Sequence, residues 1–178
     1  MILVSAGHHP EKQGASFGGF TEYPEACVWA SEILKQLRVL AMPSGFVPTG
    51  KLPEKVRFIN SMRATVAIEV HFNADPRNAG RGSETLYCPG SQLGKALADQ
   101  VQYALGGVMA PDRGHKEGWY RMDPNRGPDY FLSNTNCPAI IVEPEFVHNV
   151  ELIQLGRVSA CTEIARALVE FVRAEHAR

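Results

Sequence analysis

Two short apolar runs, Ile2–Ser5 near the start and Ala139–Val142 near the end, constrain this chain more than any other feature. Successive side chains of a strand point to opposite faces, so a strand that is apolar throughout must be covered on both sides. A third segment, Thr65–Phe72, is rich in β-branched residues and reads the same way. Between these runs the apolar period changes to that of a helix: over about 22–40, over 53–63 and over Leu93–Leu105. Thr85–Cys88 reads as a further strand, and Val158–Val172 as an amphipathic closing helix. Gly45–Thr49 suits an edge strand, because Pro48 cannot donate to a ladder. Strands that alternate with helices predict an α/β fold, a sheet with helices on both faces. The segment 106–136 has many Gly, Pro and Asp residues and no clear period, so it reads mainly as a long functional loop.

At 178 residues the chain suits one domain, 1–178. The formal net charge of −1 supplies no electrostatic ground for binding nucleic acid or an anionic membrane, and a monomer is expected. No stretch approaches the roughly 20 apolar residues that span a bilayer. The opening MILV reaches Gly7-His8 at once, so it reads as a buried strand and not as an export signal. The protein is therefore expected to stay in the cytoplasm, to leave by another route, or to be seen here without a leader. The four cysteines, Cys27, Cys88, Cys137 and Cys161, form no CxxC pair and are expected to be buried free thiols.

Ligands of α/β sheets bind beyond the carboxyl ends of the strands. His8 follows the first strand, His71 ends the third, and Glu143 ends the late one. Glu22 begins a helix after a glycine-rich loop, Gly14–Gly19, that can return it to the same rim. Two His and one Glu are a known catalytic zinc set, which leaves a further coordination position open. A separate carboxylate such as Glu143 can then move protons between water and a leaving nitrogen. Taken singly, each residue also has an ordinary reading: a hydrogen-bonded His, a carboxylate at a helix start, a loop pair in Glu143 and Glu145.

The segments Ser5-Ala-Gly-His8, Gly14-Ala with Thr21-Glu22, Arg57-Phe-Ile-Asn60, Ile68-Glu-Val-His71-Phe-Asn-Ala74, Gly82-Ser-Glu-Thr85 and Ile141-Val-Glu143-Pro-Glu-Phe146-Val-His-Asn149 occur in that order over nearly the whole chain. Together they resemble the N-acetylmuramoyl-L-alanine amidase family of zinc enzymes. The resemblance implies a twisted, mixed but mostly parallel sheet flanked by helices. It also implies Zn²⁺ held by His8, Glu22 and His71, with Glu143 as catalytic acid/base. The implied substrate is peptidoglycan, cut between the lactyl group of N-acetylmuramic acid and the L-alanine of the stem peptide. A short chain of this kind resembles a bacteriophage endolysin, made in the host cytoplasm and acting on the wall after release. A host amidase of division or wall recycling, a zinc carboxypeptidase or acyl-amino-acid hydrolase, and a wall-binding module with a decayed site are the alternatives.

Three positions depart from the family pattern. His9 stands where Gly is usual and competes with His8 as a ligand. Glu69 replaces a residue that is typically Ser, and it shares a strand face with His71, which it is placed to orient. Glu145 stands beside Glu143, where like-charge repulsion would raise the Glu143 pKa. Trp119, Tyr120, Arg121, Tyr130 and Phe131 lie in the long segment as candidate sugar or peptide contacts, with core packing the other reading for Trp119 and Phe131.

Overall fold

A computed structural model describes residues 1–177. The strands are β1 (Ile2–Ala6), β2 (Ser16–Phe17), β3 (Phe20–Thr21), β4 (Ser44–Phe46), β5 (Val66–Val70), β6 (Ser83–Tyr87), β7 (Asp112–Glu117) and β8 (Ala139–Glu143). The helices are α1 (Glu22–Val39), α2 (Leu52–Ser61), α3 (Gln92–Gly106), α4 (Tyr130–Asn134) and α5 (Val150–His176). Six strands form one sheet in the order β4-β1-β5-β8-β6-β7. The first four run parallel, β6 is antiparallel to β8, and β7 is parallel to β6. The fold is thus the mixed, mostly parallel α/β sheet.

Alternation along the strands divides the core into two layers. Ile2 and Val4, Val66, Ile68 and Val70, and Ile140 and Val142 face the layer that holds α1, α3 and α5. Leu3, Ala67, Ala139 and Ile141 face the layer that holds α2 and α4. In α1 the buried residues Ala26, Trp29, Ala30, Ile33 and Leu37 recur at helical spacing, and each is fully enclosed. Burying a large apolar side chain of this kind contributes about 1.5–3 kcal/mol. The start of α2 carries Pro53 in its first turn, and Glu54 Oε2 accepts the Lys51 N–H at 2.9 Å. In α3, Ser91 caps the helix by accepting the Gly94 N–H.

The region 106–136 is more ordered than its composition predicts. It contains β7, two single 3₁₀ turns (Tyr120–Met122 and Pro124–Arg126) and α4. β7 reads Asp-Arg-Gly-His-Lys-Glu, and it is an edge strand paired only with β6. Its side chains are polar or absent and at most half-buried, so no apolar alternation marks it. The glycine-rich loop also holds a hairpin, β2–β3, which Gly18 and Gly19 close with positive φ at both positions. Helix α5 begins at Val150, two turns ahead of the expected 158, because its first turns bury Ile153 while exposing Leu155 and Val158. Only Cys161 is fully buried. Cys27, Cys88 and Cys137 are half-buried, contrary to expectation, because each lies at the margin of the core. No described helix is long and apolar enough to cross a membrane.

Candidate active site

The carboxyl ends of β1, β5 and β8 meet at one rim, since Gly7 donates to the Val70 carbonyl and His71 to the Val142 carbonyl. His8 leaves β1 in the left-handed region, φ 64°, which turns its ring back over the sheet end. His71 follows β5 directly, and Glu22 is the first residue of α1. The three side chains converge. His8 Nε2 lies 3.0 Å from Glu22 Oε2, and His71 Nδ1 lies 3.0 Å from Glu22 Oε1. One ligand-type atom from each residue lies within 4.8 Å of the other two. The two imidazoles meet edge to face with centroids 4.9 Å apart.

Glu22 is buried, and its remaining contacts hold it in place. Its Oε2 accepts the Ala15 N–H and its Oε1 accepts the Phe72 N–H. Burial alone would push its carboxyl up. The hydrogen bonds and charges of His71 and His8 outweigh that and hold it well below the usual carboxylate range. Burial likewise disfavours the charged form of His71, but Glu22 and Glu69 raise its pKa well above the ordinary value. Two glycines make room. A Cβ on Gly7 would lie 2.5–2.6 Å from ring atoms of His71. One on Gly14, whose φ is +79°, would run into Glu22 Oε2 and the His8 ring. The donor set (two imidazoles and a buried carboxylate that face one another) fits a divalent transition metal such as zinc.

Glu69 lies behind His71, with Oε2 3.1 Å from His71 Nε2. Its Oε1 accepts from Ser5 Oγ at 2.8 Å and from Lys55 Nζ at 3.1 Å. Burial pushes the Glu69 carboxyl up, but His71, Lys55 and Ser5 together pull it down to about 2. Lys55, on α2, is itself buried and also donates to the Ala6 carbonyl. Its position in an amphipathic helix offered no sign of this role.

Glu143 ends β8 on the same sheet face as Ile141. With His71, Leu86, Trp119, Arg121, Met122, Ile141 and Asp129 it lines a cleft of about 170 Å³. Burial pushes its pKa up to about 7; His71 opposes this, and the negative charges of Glu84 and Glu22 add to it. The carboxylate that faces Glu143 is therefore Glu84, not Glu145. Glu145 Oε1 instead accepts from Gly82 N, Phe146 N and Asn149 Nδ2 at 2.8–3.0 Å, which ties the β8–α5 loop to the start of β6. Glu84 falls within the motif Gly82-Ser-Glu-Thr85, but its antiparallel pairing with Glu143 has no local signature. His9 pairs with Lys12 through the backbone in a tight turn, and it is His8 that meets Glu22. Of the aromatic residues in the long segment, Phe131 is core and Trp119 is half-buried at the cleft.

The sequence pattern described as N-acetylmuramoyl-L-alanine amidase matches residues 2–173. Among curated proteins, N-acetylmuramoyl-L-alanine amidase LytC of Bacillus subtilis (strain 168) is 26% identical over 159 residues, covering 83% of this chain and 29% of its own length. Among solved structures, Cwp6 from Clostridium difficile superposes with TM-score 0.83 at 23% identity, over 96% of this chain and 29% of that one. The catalytic domain of CD27L endolysin, targeting Clostridia Difficile, superposes with TM-score 0.77 at 22% identity, over 95% of this chain and 96% of that one. These superpositions show a shared fold. The chain spans less than a third of the length of LytC and of Cwp6.

Proposed function

The chain belongs to the N-acetylmuramoyl-L-alanine amidase family, and from that premise we propose that it hydrolyses the amide between the lactyl group of N-acetylmuramic acid and L-alanine in peptidoglycan. Residues 1–178 act as one catalytic domain. The observation that carries this reading is the convergence of His8, Glu22 and His71 at one rim, beside the cleft that holds Glu143.

His8, Glu22 and His71 hold a zinc ion in this reading. When bound, zinc polarises the scissile carbonyl and lowers the pKa of water towards about 7. Glu143 takes the proton of the attacking water and delivers it to the departing nitrogen. The C–N bond breaks, the water oxygen joins the lactyl carbonyl carbon, and the stem peptide leaves with a free L-alanine amine. Burial of Glu143 suits both transfers, because a group with pKa near 7 accepts and donates a proton at neutral pH. Leu86, Trp119 and Ile141 supply apolar walls beside Glu143 in the cleft.

The protein is tested on purified peptidoglycan with analysis of the new termini. Free L-alanine N-termini are expected in step with release of the stem peptide. Release of a C-terminal residue instead would identify a carboxypeptidase and overturn the reading.

The biological setting we propose is lysis by an endolysin: synthesis in the host cytoplasm as a monomer, and action on the wall after release. The likeness of fold to the CD27L catalytic domain over almost the whole of both chains supports it. The likeness to LytC supports the other setting, a bacterium's own wall amidase. Expression of the chain in the cytoplasm with a separately induced membrane pore distinguishes them. Rapid lysis on pore induction is expected of a lysin, and continued growth of a host enzyme.

A further inference from the structure

Among the described residues Lys55 is the one buried lysine, with a relative exposure of 3%. It lies in α2, outside the three converging side chains, and its ammonium contacts two groups that each adjoin a histidine of the site. One contact is the carbonyl of Ala6, two residues before His8. The other is Glu69 Oε1 at 3.1 Å. The second oxygen of Glu69 meets Nε2 of His71 at 3.1 Å, on the side of the ring away from Glu22. Ser5, on the neighbouring strand and in register with Glu69, adds a hydrogen bond to the same carboxylate.

A buried ammonium and a buried carboxylate cost several kcal/mol each to desolvate, and their mutual attraction commonly no more than offsets that. Packed apolar residues would serve stability as well or better. The pair is therefore best explained by what it positions. Glu69 meets His71 at Nε2 alone, which keeps a proton on that nitrogen when Nδ1 is given up to a metal. The ring is thereby turned so that Nδ1 faces Glu22 and the site. Gly7 closes off the other movement, since its backbone lies against the same ring.

We propose that Lys55 and Glu69 form a buried brace that aligns both histidines for the metal: Glu69 selects the His71 nitrogen that faces the site, and Lys55 holds Glu69 and the β1 end that carries His8. The inference rests on the reading of His8, Glu22 and His71 as metal ligands. Both are positioning residues, since neither reaches the cleft or the reacting atoms.

The test uses the full chain and zinc alone, with affinity measured by competition against a chromophoric chelator. The double variant Lys55→Met/Glu69→Leu removes both charges together and leaves an apolar pair, so folding is retained; a cooperative thermal melt checks this. Its zinc affinity is expected to fall about 10–100-fold, as is typical when a carboxylate behind a ligating imidazole is lost. In ¹⁵N spectra of the zinc-loaded protein, the slowly exchanging His71 Nε2–H is expected to be lost as well. A folded double variant that binds zinc within twofold of the original chain and keeps that resonance overturns the brace. Should the double variant not fold, Glu69→Gln serves: it keeps the shape, and a several-fold loss of affinity is expected where no change would refute the proposal. His71→Ala separates the two layers of inference. Zinc binding that survives His71→Ala overturns the ligand assignment itself, whereas binding lost there but intact in the Glu69 variants overturns only the brace.

Discussion

Glu84 and Glu143 stand directly opposite each other across the antiparallel β6–β8 ladder. Like charges in that position repel, so the two carboxyl groups differ in their surroundings. Glu84 takes Arg113, Lys116 and Asn73 as partners, and its charge is compensated. Glu143 faces the cleft, and burial together with the negative charge of Glu84 favours its protonated form up to about pH 7. Burial, with this sheet pairing added to it, thus supplies a carboxyl group with a proton to exchange near neutrality.

That arrangement has a measurable effect on stability. The Glu143 pKa is raised in the fold from its ordinary 4.5 to about 7. The native state therefore binds more protons than the unfolded state in that window, and its stability falls as pH rises from 4.5 through 7. Glu143→Gln removes the penalty. In metal-free protein the stability gained by this variant is expected to be small at pH 4.5 and to reach its full value above pH 7, as read by urea melts across the range. An equal gain at every pH would contradict the assignment.

The same residue is predicted to matter for turnover and little for the metal. Glu143→Ala should lower kcat about 10²–10⁴-fold, the usual contribution of a general acid/base. Zinc content by elemental analysis should remain at one equivalent, since Glu143 is outside the converging trio.

Metal removal gives the complementary result. Excess chelator should abolish hydrolysis, and zinc should restore it. His8→Ala and His71→Ala should each lose the ion, because three-ligand sites do not tolerate loss of one donor without large loss of affinity. Full activity in chelator with no metal detected would contradict the scheme.

Gly14→Ala tests the close packing of the site. The left-handed φ of +79° costs an alanine about 1–2 kcal/mol, and its Cβ would displace Glu22 or His8. Stability should fall by at least that amount and zinc affinity with it. Substitution at Gly90, also at positive φ but in open space, should cost stability alone.

Glu145 yields a prediction opposite to the one its place beside Glu143 suggests. Glu145→Gln keeps a carbonyl for the three donors and should leave the pH–rate profile unchanged. Glu145→Ala orphans the Gly82 and Phe146 N–H groups, at about 1–3 kcal/mol for each buried donor left unpaired. Thermal melts of the two variants distinguish these cases.

What the sequence by itself determined follows from local physics. Unbroken apolar runs required central strands, helical periods marked α1, α2, α3 and most of α5, and the chain positions just beyond β1, β5 and β8 placed His8, His71 and Glu143 at a common rim. Only the tertiary structure decided the rest. β7 is a polar edge strand whose pairing lies in backbone hydrogen bonds, which leave no side-chain pattern. Glu84 faces Glu143 through a ladder between segments almost 60 residues apart in sequence. Lys55 reaches Glu69 and Ala6 only because α2 lies across β1 and β5. Periodicity reports which face of an element is buried. It does not report which charged groups meet there, because that depends on distances between elements that are set only when the layers pack.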